Sequence, residues 1–72
     1  MAESTYKVVQ LVGSSTESWE RAAATAIETA SQSIRDLRVA EVAELDVVIE
    51  NGAVSAFRTK LNISFKYEGG TP

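Results

Sequence analysis

The dipeptide Asn51-Gly52 stands between two long runs in which apolar and polar residues alternate, and no other feature restricts the fold as much. A two-residue type I′ hairpin needs positive φ at both central positions, and Asn followed by Gly meets that demand at least cost. Val39 to Glu50 is therefore expected to form one strand and Val54 to Tyr67 the next. In the second run Phe57, Thr59, Leu61, Ile63, Phe65 and Tyr67 alternate with Arg58, Lys60, Asn62, Ser64 and Lys66, which gives one apolar and one polar face. So short a turn also sets the register. Val42 is expected opposite Leu61 and Ala40 opposite Ile63 on the apolar face. On the other face Val39 should meet Ser64, Glu41 meet Asn62, Ala43 meet Lys60 and Leu45 meet Arg58. A lone hairpin of this kind is marginal in water, so its apolar face needs a cover.

The cover is expected from Ser14 to Leu37. Trp19, Ala23, Ala26, Ile27, Ala30, Ile34 and Leu37 recur at steps of three and four, the stripe of an amphipathic helix. Ser14 followed by Glu17 has the form of a capping box, with Ser15 as a rival cap. A helix over the whole stretch would be roughly 34 Å long. Ala23, Ala26 and Ala30 are small enough to let it lie close on a sheet. Ahead of it, Tyr6 to Val12 (YKVVQLV) reads as a strand with apolar residues on both faces, ended by Gly13. Residues 1–5 and 68–72 are expected to be flexible. The predicted architecture is α+β: a β-α-β-β chain whose three-stranded antiparallel sheet wraps one long helix.

Composition narrows the chemistry. The chain has 72 residues, no cysteine and no histidine. It therefore lacks disulfide staples, the commonest catalytic base and the commonest zinc ligand. A net charge of −3 with dispersed Lys and Arg argues against nucleic acid as the main partner. No apolar run is long enough for a membrane span, and MAESTYK lacks the layout of a secretory signal, so a cytoplasmic location is expected. No nucleophile sits with a base, and there is no phosphate-binding glycine loop, so catalysis is not expected. A domain this small, without staples, commonly finds stability in self-association. Aliphatic residues on the polar face of the sheet are expected to pack against other copies.

Three groups of residues are candidates for binding. Glu44 and Asp46, two apart on one strand, share a face; the register predicted above places it on the helix side, away from cations. Such a pair suits a hard cation such as calcium, although calcium takes six to eight oxygens and two acids do not supply them. The competing reading is two solvated acids that oppose edge-to-edge aggregation. Arg58 and Lys60 lie on the opposite face, where they suit an anion or, more simply, pairing with Glu41. Trp19, the only tryptophan, is in phase with the helix stripe and reads as a core or interface anchor rather than a ligand platform.

The segments YKVVQLVGSSTESW, AAATAIETA, RVAEV and FRTKLNISFKYE, in this order and spacing, resemble the dodecins over about residues 6 to 68. The resemblance implies one dodecin-like domain over residues 1–72, a homododecameric hollow shell and a flavin (FMN, FAD or riboflavin) as ligand. In flavin-binding dodecins a tryptophan of the second strand stacks on the isoalloxazine ring, and a glutamine of the third strand hydrogen-bonds it. The aligned positions here are Val39 and Arg58, so flavin stacking is expected to be lost. SWE in the helix, RVAEV, Glu44, Asp46 and KLNISFK look more like the divergent dodecin branch described as calcium-binding. The function expected on this basis is a non-catalytic, self-assembling subunit that binds or buffers a small ligand, calcium before flavin. A flavin binder using other residues, and a purely structural assembly protein, are the alternatives.

Overall fold

In the computed structural model, which describes residues 3–67, the chain runs β1 (Tyr6–Ser15), α1 (Trp19–Ser31), β2 (Leu37–Glu50) and β3 (Ala53–Lys66). The predicted β-α-β-β order and three-stranded antiparallel sheet are both present. β3 is central, in the order β1-β3-β2, and both pairings are antiparallel. Asn51 and Gly52 take φ values of 53° and 76°, the positive pair expected for the turn. The β1–β3 ladder reaches beyond Tyr6, because Tyr67 N–H donates to the Thr5 carbonyl at 2.9 Å. Thr5 is therefore held, against the expectation for residues 1–5; Met1, Ala2 and residues 68–72 lie outside the described residues.

The helix is shorter than its periodicity implied. Ser14 and Ser15 continue β1, opposite Arg58 and Phe57, where β3 offers their backbone groups ladder partners. The N-cap is Ser18, whose side chain accepts from Arg21 N–H at 3.0 Å. Ser15 Oγ instead accepts from Glu17 N–H at 3.0 Å and shapes the turn between strand and helix. At the other end Gln32 caps, and Asp36 at φ 62° turns the chain into β2. Ile34 and Leu37 keep the helical phase in sequence but fall after the last helical residue.

α1 packs on the sheet through alanine. Ala22, Ala26 and Ala30 are buried, four residues apart; Ala26 and Ala30 lie over Leu61 and Ile63 of β3, with Ala23, Val9, Leu11, Leu37 and Ala40 alongside, and Ala22 lies over Gly13 of β1. The stripe is thus centred one residue before the expected Ala23. Replacing Ala26 by leucine would force a larger side chain into this layer, at an expected cost of about 1–3 kcal/mol by overpacking. Urea unfolding measures it, and an unchanged midpoint would show that the layer is loose.

The helix rests on β1 and β3 and barely touches β2. Val42, Leu45 and Ile49 of β2 are each more than half exposed as a result. Val8, Val12 and Val39 are exposed as well. Apolar surface left open on this scale marks an interaction surface.

Candidate functional site

The chemistry of the sheet is set by two of the three register shifts in the hairpin; the third lies between Leu37 and Val39. Near the turn and near the start of β2 the predicted register holds: Ala40 faces Ile63, Val42 faces Leu61, Val39 faces Ser64 and Glu41 faces Asn62. Between these ends the register slips by one residue. Ser55 is left unpaired on β3, with its Oγ donating to the Val48 carbonyl at 3.3 Å, and Ala43 is left unpaired on β2. Within the slipped window Glu44 faces Lys60, Leu45 faces Thr59, Asp46 faces Arg58 and Val47 faces Phe57. A one-residue slip turns every side chain to the opposite face.

This corrects the expected surroundings of the acids. Glu44 and Asp46 share a face, but it is the one turned away from α1, and each has a cationic partner there. Asp46 receives both Arg58 Nε on Oδ1 and Arg58 Nη2 on Oδ2, each at 2.8 Å, a bidentate clasp. Glu44 Oε1 lies 3.1 Å from Lys60 Nζ. Glu41, the expected partner of these bases, instead accepts from Asn62 Nδ2 at 3.2 Å, and Asn62 Oδ1 accepts from Gln10 Nε2 at 2.9 Å. The outer face is therefore a ladder of three polar rungs, with acids on β2 and bases or amides on β3. Leu45, expected on this face, lies on the helix side, as does Val47.

The clue to this slip was in the sequence. The larger apolar residues flanking Ala43, Val42 on an even number and Leu45 on an odd one, change parity there, and adjacent apolar residues at Val39-Ala40, Val42-Ala43 and Val47-Val48 blur the alternation on either side. The Gln10–Asn62 rung had no such clue, because no short turn fixes the register of β1 on β3.

The clasp makes one group pH-sensitive. Arg58, through its hydrogen bonds first, holds the Asp46 carboxyl below its ordinary value of 3.8; some desolvation opposes this, and the charges of Arg58 and Lys60 add to it. A depressed folded-state value means that the clasp stabilises the fold above the unfolded value and that this contribution is lost as pH falls through the depressed one. Asp46→Asn should therefore flatten the acid limb of a melting-temperature profile below about pH 4. An unaltered limb would assign acid sensitivity to other groups.

Trp19 ties the start of α1 to the hairpin. Its indole N–H donates to the Asp46 carbonyl at 2.9 Å, and its own carbonyl accepts from Thr59 Oγ1 at 2.8 Å. The ring meets Phe57 edge-on at 5.2 Å. This is the anchor role expected for it.

Val39 and Arg58, the positions aligned with the flavin site, share the outer face but are not neighbours. Val39 pairs with Ser64, six residues along β3 from Arg58, a separation of roughly 20 Å. A single ring can touch both only if two copies of the chain bring them together. Val39 borders an open hollow of about 170 Å³, lined also by Ile27, Leu37, Arg38, Ala40 and Ile63.

The residues at Glu44 and Asp46 do not fit calcium within one chain. Both Asp46 oxygens are engaged by Arg58, Glu44 is engaged by Lys60, and no group of three or more ligating side chains occurs among the described residues. Calcium needs six to eight oxygens.

The sequence profile of the Dodecin family matches residues 5–68, and the chain belongs to that family. It is 42% identical over 69 residues to calcium dodecin of Mycobacterium tuberculosis, covering 96% of this chain and 97% of that protein. The solved structure of that relative, described as calcium-chelating with a novel calcium-binding site, superposes with a TM-score of 0.81 over 96% of this chain and 99% of its own. Dodecin from Streptomyces coelicolor superposes with a TM-score of 0.90 at 33% identity, over 97% of this chain and all of that one. Among the described residues no helix is long and apolar enough to cross a membrane.

Proposed function

We propose that this chain is the non-catalytic subunit of a hollow homododecameric shell that binds or buffers a small ligand, with calcium the first candidate and flavin the second. The observation that carries calcium is the 42% identity to a calcium dodecin over nearly the whole chain. Valine at position 39 weighs against flavin, since an aliphatic side chain offers no π face to a flat ring. Glu44 and Asp46, engaged as they are, do not form a cage by themselves, so the ion's oxygens are assigned to a site assembled between copies. Self-association is supported by the exposed aliphatic residues of β1 and β2 and by the small size of the chain. No nucleic acid or membrane partner is proposed.

Native mass spectrometry of freshly purified protein reports subunit number and retained ligand together. The expected result is a high-order oligomer, twelve in number, with no folded monomer at micromolar concentration. A folded species of 7.8 kDa would overturn it. Calorimetry with calcium, repeated after chelation, separates a calcium binder from a purely structural shell.

A further inference from the structure

We infer that Arg58 and Lys60 are built-in counter-cations that withhold Glu44 and Asp46 from calcium, so that these two bases determine which ions the outer face accepts. The inference rests on the calcium reading only for the wild-type site, which it places elsewhere in the assembly.

The pair of bulges at Ser55 and Ala43 is the device. Without them Glu44 and Asp46 would project toward α1, beside Thr59 and Phe57. With them they stand in register with Lys60 and Arg58. The Arg58 fork engages both oxygens of Asp46 at 2.8 Å and so occupies the edge that calcium would need for bidentate ligation by that carboxylate. Lys60 stands 3.1 Å from Glu44 Oε1, and its charge also acts on Asp46. A divalent ion placed between the two acids would face two positive groups at short range. The third acid of this face, Glu41, is turned to Asn62 on the neighbouring rung. Glu44 and Asp46 on one strand and Lys60 and Arg58 on the next thus neutralise one another within the chain, so these two rungs carry no net charge to attract a hard cation.

The test is calcium calorimetry on the assembled, chelator-washed protein and on two double variants, with native mass spectrometry confirming the same oligomer. The Glu44→Gln/Asp46→Asn variant should retain wild-type calcium affinity within about twofold, well under one decade of affinity. The Arg58→Gln/Lys60→Gln variant should gain: removal of each unit charge near a divalent site is expected to tighten binding about tenfold. That gain should vanish when Glu44→Gln and Asp46→Asn are added. A loss of about tenfold or more in the acid variant would show that the acids ligate calcium and would overturn the inference. Absence of any gain in the base variant would overturn it equally. If the wild-type protein takes up no calcium, the calcium reading fails, and the base variant alone decides the present inference by gaining or not gaining a site. Should a double variant fail to assemble, Arg58→Gln and Lys60→Gln taken singly decide it, each expected to gain where the other base remains.

Discussion

Replacing Gly13 by alanine is expected to be the most damaging single-methyl change in the chain, at a cost of about 3 kcal/mol or more and with loss of the assembled protein. The reason is space. A Cβ at Gly13 would lie 2.0 Å from the carbonyl oxygen of Ala22 and 3.0 Å from the Ala26 methyl, where ordinary contact begins at 3.4 Å. The obstacle is helix backbone, which no rotamer change can move aside. α1 would have to lift from the sheet, opening the layer of Ala26 and Ala30 over Leu61 and Ile63. Gly52 provides the contrast: it sits at φ 76° with nothing within 4 Å, so Gly52→Ala meets only backbone strain, about 1–2 kcal/mol. Urea unfolding of the two variants, with native mass spectrometry of each, measures the difference. An unfolding midpoint for Gly13→Ala equal to that of the wild type would mean that helix and strand are not in contact at this point.

Gly13 also shows where sequence reading stops. A glycine between a strand and an amphipathic run looks like a terminator, and the helix was accordingly expected to begin at Ser14. The strand in fact passes through Gly13 to Ser15, because the glycine's role is to admit Ala22 from above the sheet. Local pattern cannot separate a glycine that breaks a strand from one that is overlain by a helix; both precede polar, cap-forming residues. The hairpin was more legible, since Asn51-Gly52 fixes its own turn and both flanking strands alternate. Its ends were read correctly. Its middle was read one residue out of step because two compensating bulges, at Ser55 and Ala43, restore the register before Val42. That error reversed the environment of Glu44 and Asp46, from isolated acids under the helix to paired acids on the open face. Family membership was legible in the order and spacing of whole segments, which such slips leave intact.

The double substitution Val39→Trp with Arg58→Gln is expected to raise flavin affinity by about two to four powers of ten. Stacking of an aromatic side chain on a base-like ring is worth about 1–3 kcal/mol, one hydrogen bond to a buried polar group adds a similar amount, and 1.4 kcal/mol is tenfold. Position 39 is open on the outer face, where it is 63% exposed, so an indole placed there meets no steric obstacle within the chain. Position 58 is more complicated. Arg58 is held by Asp46, so Arg58→Gln removes a cation and leaves Asp46 without its clasp. An uncompensated carboxylate on the same face would repel a phosphorylated flavin more than riboflavin, and the gain should therefore be larger for riboflavin than for FMN or FAD. The two positions lie roughly 20 Å apart along one chain, so the gain also depends on copies of the chain meeting across this face. Quenching of flavin fluorescence measures it, with Val39→Trp alone giving the stacking part. A double variant that assembles but binds no better than wild type would show that the face is not arranged between copies as a flavin site. Tight quenching by the unmodified protein would show instead that residues other than Val39 and Arg58 govern the ring.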